Sequence, residues 1–115
     1  MDITYKLTYR QQTPVMKLSG RFDAEGAAFI KGQITTLVNE TQPNLVVNMS
    51  EVSFIDSLGL TALVSGLKLC RRSHGTLKLV GLQTSVRLLF EITRLDHAFE
   101  IYESEEEAFN SFERS

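Results

Sequence analysis

The stretch "NLVVNMSEVSFIDSLGL", residues 44–60, decides the fold. Leu45, Val46, Val47 and Met49 form a short apolar run with two adjacent valines. Such a run suits a strand buried on both faces, which has no need to alternate. An acid and a hydroxyl follow, Asp56 and Ser57, and an apolar helical pattern begins at once. Strands that alternate with helices make layered α/β folds. In those folds functional side chains gather in the turn after a strand, where the next helix starts.

Upstream, "ITYKLTY" alternates Ile3, Tyr5, Leu7 and Tyr9 at the period of two that marks a half-buried strand. "RQQTP" turns the chain and "VMKLSG" alternates again, so residues 3–19 predict an antiparallel hairpin whose second strand ends at Gly20. "DAEGAAFIKGQITTLVNETQ" carries Ala27, Ile30, Ile34, Leu37 and Val38 at helical spacing, with Asp23 placed to cap its start and Pro43 to end it. Downstream, a helix over about 58–72 is closed by "SHG". "TLKLVGL" reads as a strand, "TSVRLLFEIT" as a helix with Val86, Leu89 and Phe90 on one stripe, and "AFEIY" as a last short strand. "SEEEAFNSF" is a terminal helix, with Ser104 and Glu107 at capping-box spacing and three glutamates at the positive end of its dipole. The order β β α β α β α β α predicts one α/β domain over residues 1–115: an N-terminal hairpin, then alternating α and β, with a mixed sheet packed by about four helices.

Composition narrows the function classes. A chain of 115 residues fits about one domain, and 43% apolar with 23% charged residues is ordinary for a globular protein. A formal net charge of −2 leaves no electrostatic footprint for nucleic acid or for an anionic membrane surface. "MDITYKLTYRQQ" lacks the apolar core of a signal peptide, and no stretch approaches the roughly 20 apolar residues of a membrane span. One cysteine, Cys70, forms no internal disulfide and suits a reducing cytosol, so the expectation is a cytoplasmic protein without direct membrane insertion. With only His74 and His97 beside that cysteine, no transition-metal site is expected.

Two readings of the Asp56–Ser57 junction compete. In the structural one, Ser57 caps the helix and Asp56 adds negative charge at its positive end. The helix itself favours a second reading. Leu60, Leu63, Val64 and Leu67, with Cys70 at the edge, already make a sufficient core stripe. The opposite face carries Leu58, Ala62, Ser65 and Leu69, where a surface helix should be charged. Either another element covers that face or it is an exposed apolar strip, the usual mark of a protein–protein site. Phosphate on Ser57 would then place about −1.5 to −2 charge beside Asp56 at the rim of a contact surface. A nucleophilic serine is the poorer fit. "IDSLG" lacks the first glycine of the G-x-S-x-G elbow, and neither histidine sits in a context that suggests an oriented base.

Several segments together resemble the STAS domain family, specifically bacterial anti-sigma factor antagonists: "LSGRFDAEGA", "LVVNMSEVSFIDSLGL", "GTLKLVGLQTSVRLLFEITRLD" and "FEIYESEEEAF". The resemblance covers nearly the whole chain, and "DSLGL" with "VRLLFEITRL" makes it specific. It implies that Ser57 is phosphorylated by an anti-sigma factor that is itself a serine kinase. The unmodified form would bind that kinase and release its sigma factor, and a metal-dependent serine phosphatase would restore it. ATP and magnesium would belong to the kinase, leaving this chain without a cofactor. By the same resemblance Asp56 flanks the acceptor, Gly59 lets the chain pass closely where the helix starts, and Asp23 contacts the kinase. Helical spacing adds Leu58, Ala62, Ser65 and Leu69 to the partner face, with Thr61 as the next hydroxyl. Many members carry a second hydroxyl directly after the phosphoserine, whereas this chain has Leu58. The alternative expectation is a constitutive STAS subunit of a lipid transporter or a signalling scaffold.

Overall fold

The computed structural model describes residues 3–40 and 43–113. Its elements are β1 (Thr4–Arg10), β2 (Thr13–Phe22), α1 (Ala24–Glu40), β3 (Leu45–Ile55), α2 (Ser57–Arg72), β4 (Leu77–Val80), α3 (Thr84–Ile92), a short 3-10 turn (Leu95–His97), β5 (Glu100–Tyr102) and α4 (Glu105–Glu113). The five strands form one mixed sheet in the order β1-β2-β3-β4-β5. β1 and β2 pair antiparallel, and every other neighbouring pair is parallel. The predicted α/β domain, with its hairpin followed by alternating helices and strands, is therefore the observed one. The end of the α1 pattern at 41–42 lies outside the described residues.

Gln11 and Gln12 close the hairpin, with φ of 50° and 74°, between the paired residues Arg10 and Thr13. Two positive φ values in a two-residue loop match the right-handed twist of the flanking strands, although Asn-Gly is the usual sequence there. Two expectations for the hairpin need correction. β1 forms, but only Tyr5 along it is half-buried; Leu7 and Tyr9 are exposed. An edge strand has a neighbour on one side only; α1 covers Tyr5, whose hydroxyl donates to Gln33 and whose ring centre lies 6.1 Å from that of Phe29. Nor does Gly20 end the second strand. It lies inside β2 at φ 106°, where the pairing with β3 shifts register, and the strand continues to Phe22. A glycine adopts that backbone without the Cβ clash that other residues suffer.

Leu45, Val46, Val47 and Met49 are all buried, as a strand covered on both faces requires. The cover is unequal. Leu45, Val47 and Met49 join the main core with residues of α1, α2 and α3, including Ile30, Ile34, Leu63, Leu67 and Phe90. Val46 points to a smaller cluster with Val15, Val80, Ala108 and Phe109, capped by α4. Lys78 is buried under the same helix, 3% exposed, where its ammonium donates to Ser111 Oγ, lies 3.5 Å from Glu100 and sits 3.8 Å from the Phe112 ring centre. α4 opens as its sequence predicts, with Glu107 N–H donating to Ser104 Oγ at 3.2 Å. No helix among the described residues is long and apolar enough to cross a membrane.

Candidate functional site

The site is built where β2 and β3 both run out. β3 extends past its apolar run to Ile55, paired with Phe22 at the end of β2, so the starts of α1 and α2 lie side by side. One side chain joins them. Asp56 is the N-cap of α2: its Oδ1 accepts from Leu58 N–H at 3.0 Å and Gly59 N–H at 2.9 Å. Its Oδ2 accepts from Ala24 N–H, the first residue of α1, at 2.9 Å. A single carboxylate thus satisfies orphan amides of two helices, at the positive ends of both dipoles. The expectation that Ser57 caps α2 is corrected accordingly. A cap needs extended backbone, and Asp56 has it at φ −109°, ψ −176°, whereas Ser57 is already the first helical residue.

Freed from capping, Ser57 is exposed, and its hydroxyl has no hydrogen-bond partner among the described residues. Thr61, also exposed, uses its hydroxyl to donate to the Ser57 carbonyl at 2.8 Å. Gly59 is buried, and the reason is steric. A Cβ there would stand 2.4 Å from the Phe22 carbonyl oxygen and 2.8 Å from the Ile55 side chain. Asp23 caps α1 through its carbonyl, which accepts from Gly26 and Ala27 N–H at 3.1 and 2.9 Å, with its carboxylate 3.4 Å from Gly26 N.

The second face of α2 divides. Leu58 is 50% exposed beside Ser57. Ala62, expected on an open strip, is 2% exposed, because α1 packs across that face. The small residues between Leu58 and Leu69 admit a close neighbour, and that neighbour is the chain's own helix. What remains open is a groove between α1 and α2. Near Ser57 it encloses about 210 Å³ and is mostly apolar, lined by Ala24, Ala28, Leu58, Thr61 and Ala62, with Lys31 at its far side. Farther along α2 the half-buried Ser65 and Leu69 form its wall.

Three residues before Ser57, Phe54 is 37% exposed, with the Arg21 guanidinium 4.1 Å from its ring centre. A second cavity of about 280 Å³ runs from Phe54 to Ser85 and Leu89 of α3. Sequence reasoning missed Phe54, because an aromatic in "SEVSFI" resembles core until β3 is seen to continue beyond its helical cover. Acyl transfer gains no geometry. His74 follows the C-terminal end of α2, about 24 Å from Ser57 along a helix of this length. His97 lies in the 3-10 turn, whose next residue, Ala98, accepts from Arg71 at that same far end. No three metal-ligating side chains cluster among the described residues.

Comparison with known proteins places this arrangement. An anti-sigma-B factor antagonist of Staphylococcus aureus is 26% identical over 106 residues, covering 92% of this chain and 98% of its own. An anti-sigma-B factor antagonist of Bacillus subtilis is 27% identical over 101 residues, covering 88% and 92%. Among solved structures, an anti-sigma factor antagonist from Mycobacterium paratuberculosis superposes with a TM-score of 0.85 at 26% identity, over 95% of this chain and 92% of that one. The STAS domain model matches residues 5–108, from β1 into α4, and on that match the chain belongs to the STAS domain family.

Proposed function

We propose that this chain is a cytoplasmic anti-sigma factor antagonist, switched by phosphorylation of Ser57 and without catalytic activity of its own. The observation that carries the reading is the state of Ser57: an exposed, uncommitted hydroxyl at the first helical position, with exposed Phe54 and Leu58 flanking it in sequence. The near full-length relatives named as antagonists support the same assignment.

The capping geometry explains how one phosphate would act. A helix N-terminus ordinarily welcomes a phosphate, because free amides and the dipole neutralise it. Here the Leu58 and Gly59 amides are already taken by Asp56. A phosphate on Ser57 would therefore add about −1.5 to −2 charge beside a carboxylate that holds those donors, and would project into the contact zone. Docking on Leu58 and Phe54 would then require burying that charge, which costs far more than their apolar contact returns. Unmodified, the same surface offers two large apolar side chains and a small hydroxyl to an anti-sigma serine kinase, which would release its sigma factor on binding. ATP and magnesium enter with the kinase, and a metal-dependent serine phosphatase resets the switch.

The test uses the purified anti-sigma serine kinase of the source organism with ATP, against wild type, Ser57→Ala and Ser57→Asp. Wild type is phosphorylated, Ser57→Ala is not and still binds, and Ser57→Asp binds weakly. Phosphorylation of Ser57→Ala together with wild-type affinity of Ser57→Asp would overturn the switch. Stable co-purification with membrane transport subunits, insensitive to phosphatase, would favour the constitutive transporter role instead.

A further inference from the structure

The groove between α1 and α2 changes character along its length. Beyond the apolar part beside Leu58 it continues through Lys31, which lines both halves, into a section of about 220 Å³. That section is walled by Ser65, Gly66 and Leu69 and rimmed by Lys31, Lys68 and Arg72, with Thr35 opposite. Among the described residues no acidic one lines it. None of the three cations has a carboxylate partner among the described residues, whereas Lys17, Lys78 and Arg87 each do. The Thr35 hydroxyl is already committed, donating to the Lys31 carbonyl at 2.9 Å, so the cations set the character of this end. In a chain of net charge −2, three unpaired cations round one groove are a local reversal of sign.

We propose that this basic end of the α1–α2 groove receives an acidic segment of the same partner that docks at Ser57, and that it steers that partner onto the switch. The inference rests on the functional reading above and extends it to a second contact. Distance supports one continuous footprint. Lys68 lies eleven residues beyond Ser57 on a straight helix, about 16 Å at 1.5 Å per residue. An interface of about 800 Å² per partner, drawn as a disc, also has a radius of about 16 Å. Lys68 thus falls on the rim of a standard interface centred on Ser57, with Arg72 one turn outside it. Rim charges act chiefly on the encounter rate and its salt dependence, since they remain solvated in the complex. The apolar end of the groove holds the partner, and the basic end brings it in with its acidic segment aligned along α2.

The experiment measures association and dissociation rates of the purified anti-sigma serine kinase with wild type and the Lys68→Glu/Arg72→Glu double variant. Both positions are exposed, so the variant folds, and circular dichroism checks this. Salt is set at about 20 mM, where charges act over tens of ångströms, and at about 500 mM, where they are screened within a few. The double variant is expected to associate about tenfold more slowly at low salt, with the difference vanishing at high salt and dissociation nearly unchanged. Equal association rates at low salt overturn the inference alone, because binding itself has then been seen. Absence of binding by wild type overturns the functional reading and this inference with it. Phosphatidylglycerol vesicles form the last arm. If wild type binds them, the double variant does not, and kinase association is unaffected, the groove serves a lipid surface and the proposal is wrong.

Discussion

Replacing Asp56 separates its two capping duties. In Asp56→Ala all three acceptor bonds disappear, those to Leu58 and Gly59 of α2 and that to Ala24 of α1. Loss of a helix N-cap costs about 1 kcal/mol, within a range of roughly 0.5–2. The bond to Ala24 is charge-assisted but partly solvated, so about 1–1.5 kcal/mol is a fair share for it. The sum is about 2–2.5 kcal/mol, a large fraction of the roughly 5–15 that holds such a domain together. Asp56→Asn is the informative comparison. Its single carbonyl oxygen still caps α2, since asparagine is as good an N-cap as aspartate. Its amide nitrogen then faces the Ala24 N–H, donor against donor, so only the tie to α1 is lost, at about 1 kcal/mol. Urea unfolding measures both. With a slope of about 1.5 kcal/mol per molar, Asp56→Ala moves the midpoint down by about 1.3–1.7 M and Asp56→Asn by about 0.7 M. Equal losses in the two variants, or an alanine cost below about 0.5 kcal/mol, would refute the double cap.

Three further outcomes follow from single residues. Gly59→Ala should destabilise by about 1–3 kcal/mol, because its Cβ would meet the Phe22 backbone oxygen at 2.4 Å and no flexible side chain can yield there. A neutral or raised melting temperature, as helix propensity alone predicts, would contradict that packing. Leu58→Ala should leave stability within about 1 kcal/mol, since the side chain is half-exposed, yet weaken kinase binding at least about tenfold; unchanged affinity would remove Leu58 from the interface. Burial pushes the Cys70 thiol up to about 11 from 9.0, so at pH 8 the folded chain should react with Ellman's reagent only as fast as it unfolds. The folded thiol keeps its proton where the unfolded one loses it, so this group's contribution to stability is intact below pH 9 and is lost as pH rises through about 11. Fast labelling of native protein would show an open path to the sulfur.

Local signals carried most of the fold. The period of two in "ITYKLTY", the paired valines of "NLVV" and the helical stripes of α1, α2 and α3 each fall on the predicted element. Failures came where a partner distant in sequence decides the outcome. β3 runs to Ile55 because β2 continues beside it through a bulge, and "SEVSFI" shows no strand alternation of its own. The 3-10 turn at Leu95–His97 follows Arg94 at φ 62°, a left-handed residue that nothing in "TRLD" announces. Lys78 is buried by α4 residues more than thirty positions away, so a lysine in "LKLV" gives no warning of its cage.

The candidate site divides along the same line. Asp56, Ser57, Leu58 and Gly59 were legible because a strand-to-helix turn is local, and helical spacing alone sets Leu58 opposite the core stripe. Which residue caps was not legible, since aspartate and serine serve equally well and backbone dihedrals choose between them. The Asp56–Ala24 bond spans 32 residues and has no sequence signature. Ala62 misled because a small residue permits close approach without saying whether the approaching helix is foreign or the chain's own α1.

The central claim is that Ser57 is the one switched hydroxyl at the start of α2. Mass spectrometry of the chain isolated from its native cells, with phosphatase inhibited, tests it most directly. The account predicts a single phosphate mapped to Ser57, lost on phosphatase treatment as kinase binding returns. Phosphate on Thr61 in its place, or an unmodified Ser57 in every condition under which kinase binding changes, would contradict it.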